Sequence, residues 1–253
     1  ELGYGKGGIL KSKSQGGDRM TLAPIVSGKN LEEAFKNIQQ FTSADEFEQE
    51  RQGLPFYFKD MRDSSYLLLR AYLTGFTEEV SPTWNNTNYI GRSEPVYQYD
   101  STERSLNFTL RLFAHTSDEL TALYVKLNRL TSMCYPEYVY DKELTGGLGF
   151  IKQRPKPPLL KLRIGELIGK RDNEVIGFIK SLSYTYPDES PWETEPGRRV
   201  PKYVEATLGY QVIHATTPSL TFANPDSNET ESFFGITTTA AKEEMTADNS
   251  TPG

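Results

Sequence analysis

The sequence predicts a fold of the α+β class that is mainly β, an antiparallel sheet with a flanking helix and an extended arm at each end. Two observations carry this prediction. Several runs alternate apolar and polar residues, which is typical of strands with one covered face and one solvated face. One other run has apolar residues at helical spacing and begins with a strong N-terminal cap.

The alternating runs define the predicted strands. The clearest extends from Arg104 to His115, with Leu106, Phe108 and Leu110 on one face. In the run from Ile176 to Tyr186, we expect Ile176, Phe178, Leu182, Tyr184 and Tyr186 to share a face. The remaining predicted strands are Tyr66–Phe76, Leu160–Ile164 and Val204–Val212, and the charged turn Gly169–Asn173 predicts a hairpin between Leu159 and Tyr186.

The predicted flanking helix begins at Thr116. Thr116 and Glu119 have the spacing of a capping box, in which each side chain bonds the backbone of the other residue. An apolar stripe follows, and Tyr135-Pro136 ends the helix because proline disfavours a helical residue before it. A second helix is expected over Asn30–Phe47.

Composition divides the chain into three parts. Residues 1–29 are rich in Gly, Ser and Lys and predict a flexible N-terminal arm. Residues 30–215 contain the periodic runs and predict the core domain. Residues 216–253 are rich in Thr, Ser, Asn and acidic residues and predict an extended C-terminal arm.

Net charge, the length of apolar runs and cysteine content narrow the class of protein. The net charge of -6 argues against general nucleic-acid binding. No apolar run is long enough for a membrane span, and no leader is visible at the start. The single cysteine, Cys134, excludes an internal disulfide, and these features together predict folding in a reducing cytoplasm.

No motif predicts chemistry. Gly165–Lys170 resembles a phosphate loop, but its glycine spacing is wrong, and it falls in a turn between strands instead of before a helix. His115, His214 and Cys134 have no recognisable metal-site spacing. We therefore expect no enzyme activity, no catalytic residue, no cofactor and no metal.

The most strongly patterned part of the chain resembles a known family. The matching pieces are Leu54–Asp60, Tyr66–Phe76, Trp84–Arg92 with Tyr97-Gln-Tyr99, Arg104–Tyr138, Pro191-Trp192-Glu193 and Pro201–His214. Over residues 54–215 the chain resembles the baseplate tube initiators, or tail-tube caps, of T-even-type contractile-tailed phages and their cyanophage relatives. The two arms lie outside the resemblance.

The resemblance implies a tail-tube-like β-barrel or sandwich and a homo-hexameric ring. Such a ring would seed the tail tube protein above it and would contact baseplate hub and wedge proteins below it. DNA would pass through the lumen without specific binding, and no membrane would be involved. The protein would belong to the virion and would assemble in the bacterial cytoplasm. The Leu159–Tyr186 hairpin would be a candidate for sheet extension into a neighbouring copy.

Seven residues are candidates for subunit contacts under this reading. Trp84 and Tyr89 would be aromatic anchors, Gly91 would permit a tight bend, and Arg92 would meet a carboxylate of a neighbouring copy. The other candidates are Tyr97, Tyr99 and Trp192. The alternative for each is a loop residue packed inside its own subunit.

Two other functions stay open. One is a different baseplate or tail adaptor, such as a sheath-initiating or hub-connecting protein. The other belongs to a different class, a carbohydrate-binding β-domain that uses exposed Tyr and Trp side chains.

Overall fold

The computed structural model describes residues 18–35, 54–140, 152–171, 173–218 and 233–235. The helices in these residues are α1 (Arg19–Leu22), α2 (Leu31–Phe35) and α3 (Ser117–Ser132). None of them is long and apolar enough to cross a membrane. The strands are β1 (Val26–Ser27), β2 (Phe56–Asp60), β3 (Ser65–Leu68), β4 (Tyr72–Thr87), β5 (Val96–Phe113), β6 (Glu137–Tyr140), β7 (Lys152–Lys156), β8 (Leu160–Ile164), β9 (Val175–Thr185) and β10 (Tyr203–Val212).

Eight strands form one sheet in the order β1-β3-β2-β8-β9-β10-β5-β4, and every pair is antiparallel. Strands β6 and β7 pair separately. The prediction of a mainly β, α+β fold is confirmed. The two edges of the large sheet differ greatly, because β1 has 2 residues and β4 has 16.

The sheet bends so that distant strands share one core. Phe56 of β2 meets Phe108 of β5 with ring centroids 6.0 Å apart, although three strands lie between them in the sheet. The inward face of β5 alternates as predicted: Leu106, Phe108, Leu110 and Leu112 are all buried. The intervening residues of β5 lie on the outer face of the sheet.

Strands β2 and β3 are buried on both faces. Their second face carries Tyr57, Tyr66 and Leu68, which form a separate apolar cluster with Met20 and other residues of the N-terminal segment. Residues 18–29 fall in the segment predicted as a flexible arm, yet here α1 and β1 pack on the core. Burial of Met20 and Ala23 explains why this part is ordered. Residues 1–17 of that arm, and residues 36–47 of the second predicted helix, lie outside the described residues.

Helix α3 covers one side of the main core. The predicted capping box is confirmed: the Glu119 amide donates to the Thr116 hydroxyl at 3.2 Å, and the Thr116 amide donates to the Glu119 carboxylate at 3.1 Å. Leu120, Leu123, Leu127 and Leu130 pack into the core. The helix ends at Ser132, just before Tyr135-Pro136 as predicted.

A buried carboxylate connects α3 to the β2–β3 turn. Asp60 is fully buried and accepts from Arg62 at 2.6 Å and from Arg129 of α3 at 3.1 Å. Arg129 also donates to Asp63 at 2.5 Å and to the Ser65 hydroxyl at 2.6 Å. The turn and the last part of the helix are therefore held by one ionic network.

The run Tyr66–Phe76 is not one strand. Strand β3 ends at Leu68 and pairs with β2, whereas β4 begins at Tyr72 and pairs with β5 on the opposite wall of the core. Leu69, Ala71 and Leu73 all contact this core as the chain crosses over. The alternation continues through the crossing, so periodicity alone did not reveal the bend.

Two further expectations are wrong. The Leu159–Tyr186 hairpin exists as β8 and β9, but β8 pairs with β2 and β9 with β10, so its outer edges are already occupied. Ile176 and Phe178 do not share a face with Leu182. The register shifts next to Gly209 and Tyr210, which places Ile179 on the core side and Phe178 on the outer side.

Lys126 of α3 provides a test of the packing of α1. Its side chain is 3 % exposed, and its ammonium donates to the Met20 carbonyl at 2.6 Å. Burial lowers the pKa of Lys126 to about 7, against the opposing influence of Asp18. In the unfolded chain the pKa returns to about 10.5, so between these values the unfolded state binds more protons and stability rises with pH.

We therefore expect the unfolding free energy of the natural chain, relative to that of Lys126→Met, to rise between pH 7 and 9 by up to about 1.4 kcal/mol per pH unit. Urea unfolding at several pH values measures this difference. Higher pH is avoided because burial also raises the pKa values of Cys134 and Tyr184. A pH-independent difference would show that Lys126 does not change its proton affinity on folding.

Candidate assembly surface

The longest hairpin of the sheet projects beyond the core. Strands β4 and β5 pair from Tyr72–Arg111 at the base to Thr87–Val96 near the tip. Every residue from 79 to 103 is exposed except the half-buried Pro95. We refer to residues 79–103 as the projecting hairpin. Within the Trp84–Arg92 piece, the strand continues to Thr87 and the loop begins at residue 88, because the cross-strand pairs extend to Thr87.

One face of the projecting hairpin continues the face that covers the core. Glu78 pairs with the buried Leu106, and Val80 pairs with Arg104, so the even-numbered residues of β4 from Glu78 onward lie on this face. A register shift between Thr83 and Trp84 places Tyr99 opposite Trp84 and Tyr97 opposite Asn86. The shift therefore brings both tyrosines to the side of Trp84. The resulting apolar face consists of Val80, Pro82, Trp84, Tyr97 and Tyr99.

The opposite face of the projecting hairpin is polar. It carries Glu79, Ser81, Thr83, Asn85, Ser101 and Glu103. An amphipathic strand pair normally covers its apolar face, as the same two strands do over the core. Here the apolar face is open: Trp84 is 57 % exposed, and Tyr97 is 63 % exposed.

Trp84 and Tyr99 form the centre of the apolar face. Their rings meet edge to face, with centroids 5.3 Å apart. The Tyr99 and Thr102 hydroxyls are hydrogen-bonded at 2.7 Å, which orients the Tyr99 ring. Two aromatic rings that hold each other in place lose little side-chain freedom when a partner covers them.

The tip is a tight turn. The Arg92 amide donates to the Tyr89 carbonyl at 3.2 Å, and Gly91 has φ of +85°. A positive φ at the third position of a turn favours glycine, as in type II turns. The predicted bend at Gly91 is confirmed in its geometry. The turn leaves Tyr89 and Ile90 exposed to solvent.

Arg92 is the only basic residue between positions 79 and 103, where the chain also has Glu79, Glu94, Asp100 and Glu103. Its backbone forms the turn, and its side chain forms no ion pair with the described residues. The guanidinium at the tip is therefore available for a carboxylate outside the subunit.

Trp192 lies far from the other six candidates. It is 62 % exposed in a loop in which Trp192 bridges to Pro201 and Glu193 pairs with Lys202 at 3.0 Å. This loop leads into β10, whose first residue pairs with Phe113 at the other end of β5. Ten residues of strand, about 33 Å, separate Phe113 from the projecting hairpin.

A second aromatic patch, which sequence reasoning missed, lies at this far end. Phe113 and Tyr203 stack with ring centroids 4.4 Å apart, and Tyr72 meets Phe113 edge to face at 5.8 Å. We call these three residues the end patch. Tyr72 is 70 % exposed. The adjacent placement of Tyr72 and Phe113 depends on strand pairing between β4 and β5, which the sequence alone does not specify.

A cleft of about 640 Å³ adjoins the end patch, because Tyr72 and Phe113 are among its lining residues. Its lining combines apolar side chains with several charged ones. Asp18 pairs with Arg70 at 3.2 Å, and the Glu119 carboxylate accepts from the amides of Asp18 and His115. These acids are therefore engaged in holding α1 and α3. Within the residues that the structure describes, no group of three or more His, Cys, Asp or Glu side chains is arranged to bind a metal.

Comparisons with known proteins found a structural likeness. No family model matches the chain, and no curated protein matches it. Among solved structures, the chain is similar to a component described as the tail of an empty GTA particle, computed with helical refinement in C6 symmetry. The TM-score is 0.29 and the identity 10 %, over 66 % of this chain and 95 % of that chain. A likeness of this size does not establish a function for this chain.

Proposed function

We propose that this chain is a structural subunit of a phage tail, a tube initiator that forms a ring, joins the baseplate hub to the tail tube and seeds tube polymerisation. The observation that supports this most directly is the open apolar face of the projecting hairpin. A lone soluble domain rarely exposes a contiguous apolar strip, and such strips mark sites of protein contact. The resemblance of residues 54–215 to tube initiators is the second support.

A ring needs two different complementary surfaces on each subunit, since the contacts between neighbours are heterologous. The apolar face and the end patch are two such surfaces, and they lie at opposite ends of β5. In the proposed ring, the apolar face of one copy docks on the end patch of the next copy. Trp192, which bridges to Pro201 just before β10, lies towards the same end of that strand, and we include it in this contact.

The free edge of β4 offers a second mode of contact. Its 16 residues bond β5 on one side only, and no described strand lies beyond them. Exposed edges pair readily with another chain. We propose this edge, in place of the β8–β9 hairpin, as the site at which the sheet continues into a neighbouring subunit. Arg92 at the tip then meets a carboxylate of that neighbour.

The outer face of the sheet has the chemistry expected of a channel wall. The end patch occupies one end of this face, and the rest is lined mainly by short neutral polar side chains: Ser105, Asn107, Thr109, Ser181, Ser183, Thr207 and Gln211. The one basic side chain among them on β5, Arg111, is paired with Glu205 at 2.9 Å. Lys180, which is exposed at the β9 register shift, adds one basic side chain beside them. A wall with so few unpaired Lys or Arg side chains attracts phosphates only weakly. We propose that this face lines the lumen and lets DNA pass without binding.

The proposed assembly has six copies in a ring. The tail tube protein stacks on one side, and hub and wedge proteins contact the other side. The protein acts in the virion, at the baseplate, and assembles in the bacterial cytoplasm. The described residues contribute surfaces to this assembly and require no cofactor for that role.

Negative-stain imaging of the purified chain, alone and with its tube protein, tests the proposal. We expect six-fold rings, or short tubes that appear only when this chain is added to tube protein. A chain that stays monomeric, does not change the rate of tube formation and binds glycans would contradict it. That outcome would favour a carbohydrate-binding domain, for which the exposed Trp84 and Tyr99 rings could also serve.

A further inference from the structure

The root of the projecting hairpin is covered by a short segment from the far end of the chain. Arg104 lies at this root and is 4 % exposed. Its guanidinium donates to Glu78 at 2.7 Å and to the Phe233 carbonyl at 2.9 Å. The same guanidinium lies 5.7 Å from the centroid of the Phe233 ring and 6.0 Å from that of Phe234.

Other groups complete a socket around this segment. His214 meets the Phe233 ring edge to face at 6.1 Å, and the Gln211 amide donates to the Arg104 carbonyl at 3.1 Å. A nearly buried arginine thus has a carboxylate, a carbonyl and two aromatic faces as partners. Burying such a cation without these partners costs desolvation free energy, so the segment stabilises Arg104 in its position.

Gly235 fixes the position of the segment. A Cβ atom at this residue would lie 2.1 Å from the Gly169 carbonyl oxygen and 2.8 Å from that of Glu166. Both atoms belong to backbone, which cannot move aside as a flexible side chain can. The backbone of the segment therefore approaches the β8–β9 turn more closely than any other residue type allows.

We propose that the Arg104 socket is a binding site for a peptide segment of the type aromatic–aromatic–glycine, filled by the Phe233–Gly235 segment of the same chain, which acts as a clasp. The clasp holds Arg104 and Glu78 where the inward face of the hairpin leaves the core. It thereby fixes the direction in which the apolar face projects. This inference concerns a single subunit and goes beyond the proposed ring.

The segment that fills the socket belongs either to the same chain or to a second copy. Residues 219–232 can span at most about 50 Å, so the length of the connection does not by itself assign the segment to one copy. The contacts described above lie within one chain. The clasp is therefore intramolecular, and its population does not depend on protein concentration.

Hydrogen exchange measured by mass spectrometry on the full chain tests the clasp, at a dilution where the chain is monomeric. Gly235→Ala should accelerate exchange around Glu78, Val80 and Arg104 by about tenfold or more, because the hairpin root opens locally. Phe233→Ala, which keeps the glycine, should accelerate it in the same segments. Gly197→Ala is the control for strain at a distant glycine: its φ of +85° disfavours alanine, but a Cβ there meets open space in an exposed turn, so the strain should stay local and leave these segments unchanged.

Two results would overturn the clasp. One is unchanged exchange at the hairpin root in both Gly235→Ala and Phe233→Ala. The other is protection in the natural chain that falls with dilution, which would mean that the segment of a second copy fills the socket. Both measurements use monomer, so they leave the ring proposal untouched, and failure to form rings would not affect the clasp.

Discussion

Trp84→Asp is expected to prevent assembly while leaving the subunit folded. Trp84 is the largest side chain of the apolar face, and interface contacts of this kind typically contribute 2 kcal/mol or more each. A buried carboxylate in its place would add a desolvation cost, so we expect each subunit contact to weaken by roughly 100-fold or more. Analytical ultracentrifugation over a concentration series measures the loss.

The matched control is Thr83→Asp. It adds the same charge one residue earlier, on the polar face of the same strand. We expect it to weaken assembly far less. In the monomer, Trp84→Asp should lower the unfolding free energy only by about 0.5–1.5 kcal/mol, through loss of the Tyr99 ring contact. Equal loss of assembly in both variants would show that hairpin charge, and not the apolar face, controls the contact.

A mixing experiment tests the direction of the contact. Tyr72→Asp damages the end patch but keeps the apolar face, whereas Trp84→Asp does the reverse. If the two surfaces meet head to tail, each variant alone stays monomeric and the mixture gives heterodimers, which have one intact contact. Larger rings in the mixture, or the absence of any heterodimer, would contradict this pairing of surfaces.

Asp60→Ala is expected to cause the largest loss of stability, about 3–5 kcal/mol. Asp60 is fully buried between Arg62 and Arg129, so its removal leaves two guanidinium groups without their shared carboxylate. Urea unfolding of the natural chain and the variant measures the change.

Asp63→Ala is the control for this network. Asp63 also binds Arg129, at 2.5 Å, but its side chain is 48 % exposed. Exposed ion pairs contribute about 0–1 kcal/mol, so the loss should be several-fold smaller. Similar losses in the two variants would mean that burial of Asp60 does not set the strength of the network.

Local sequence patterns correctly predicted the elements that are defined by residues close together in the sequence. The Thr116–Glu119 cap and the alternation of β5 both lie within a few residues of sequence, and both were found as predicted. The register shift that moves Phe178 to the outer face leaves no such signal, because it is set by pairing with β10. The crossing between β3 and β4 was missed for the same reason.

The candidate residues were proposed from the family resemblance, which gave no geometry. Six of the seven candidates lie on the projecting hairpin, but only the register shift beside Trp84 places Tyr97 and Tyr99 on the same face. The end patch arises from residues far apart in the sequence, Tyr72, Phe113 and Tyr203. The requirement for glycine at position 235 was not predictable from the sequence either, because it is imposed by the backbone of a turn that is distant in the chain.

The central claim is that the apolar face of the projecting hairpin is covered by a neighbouring copy. The chain has only two tryptophans, so a Trp192→Phe chain reports Trp84 alone. Trp84 is 57 % exposed in the subunit and should be readily quenched by acrylamide. On assembly we predict a blue shift of its emission and a several-fold loss of quenching. Trp84 emission and quenching that stay unchanged in assembled rings would contradict the account.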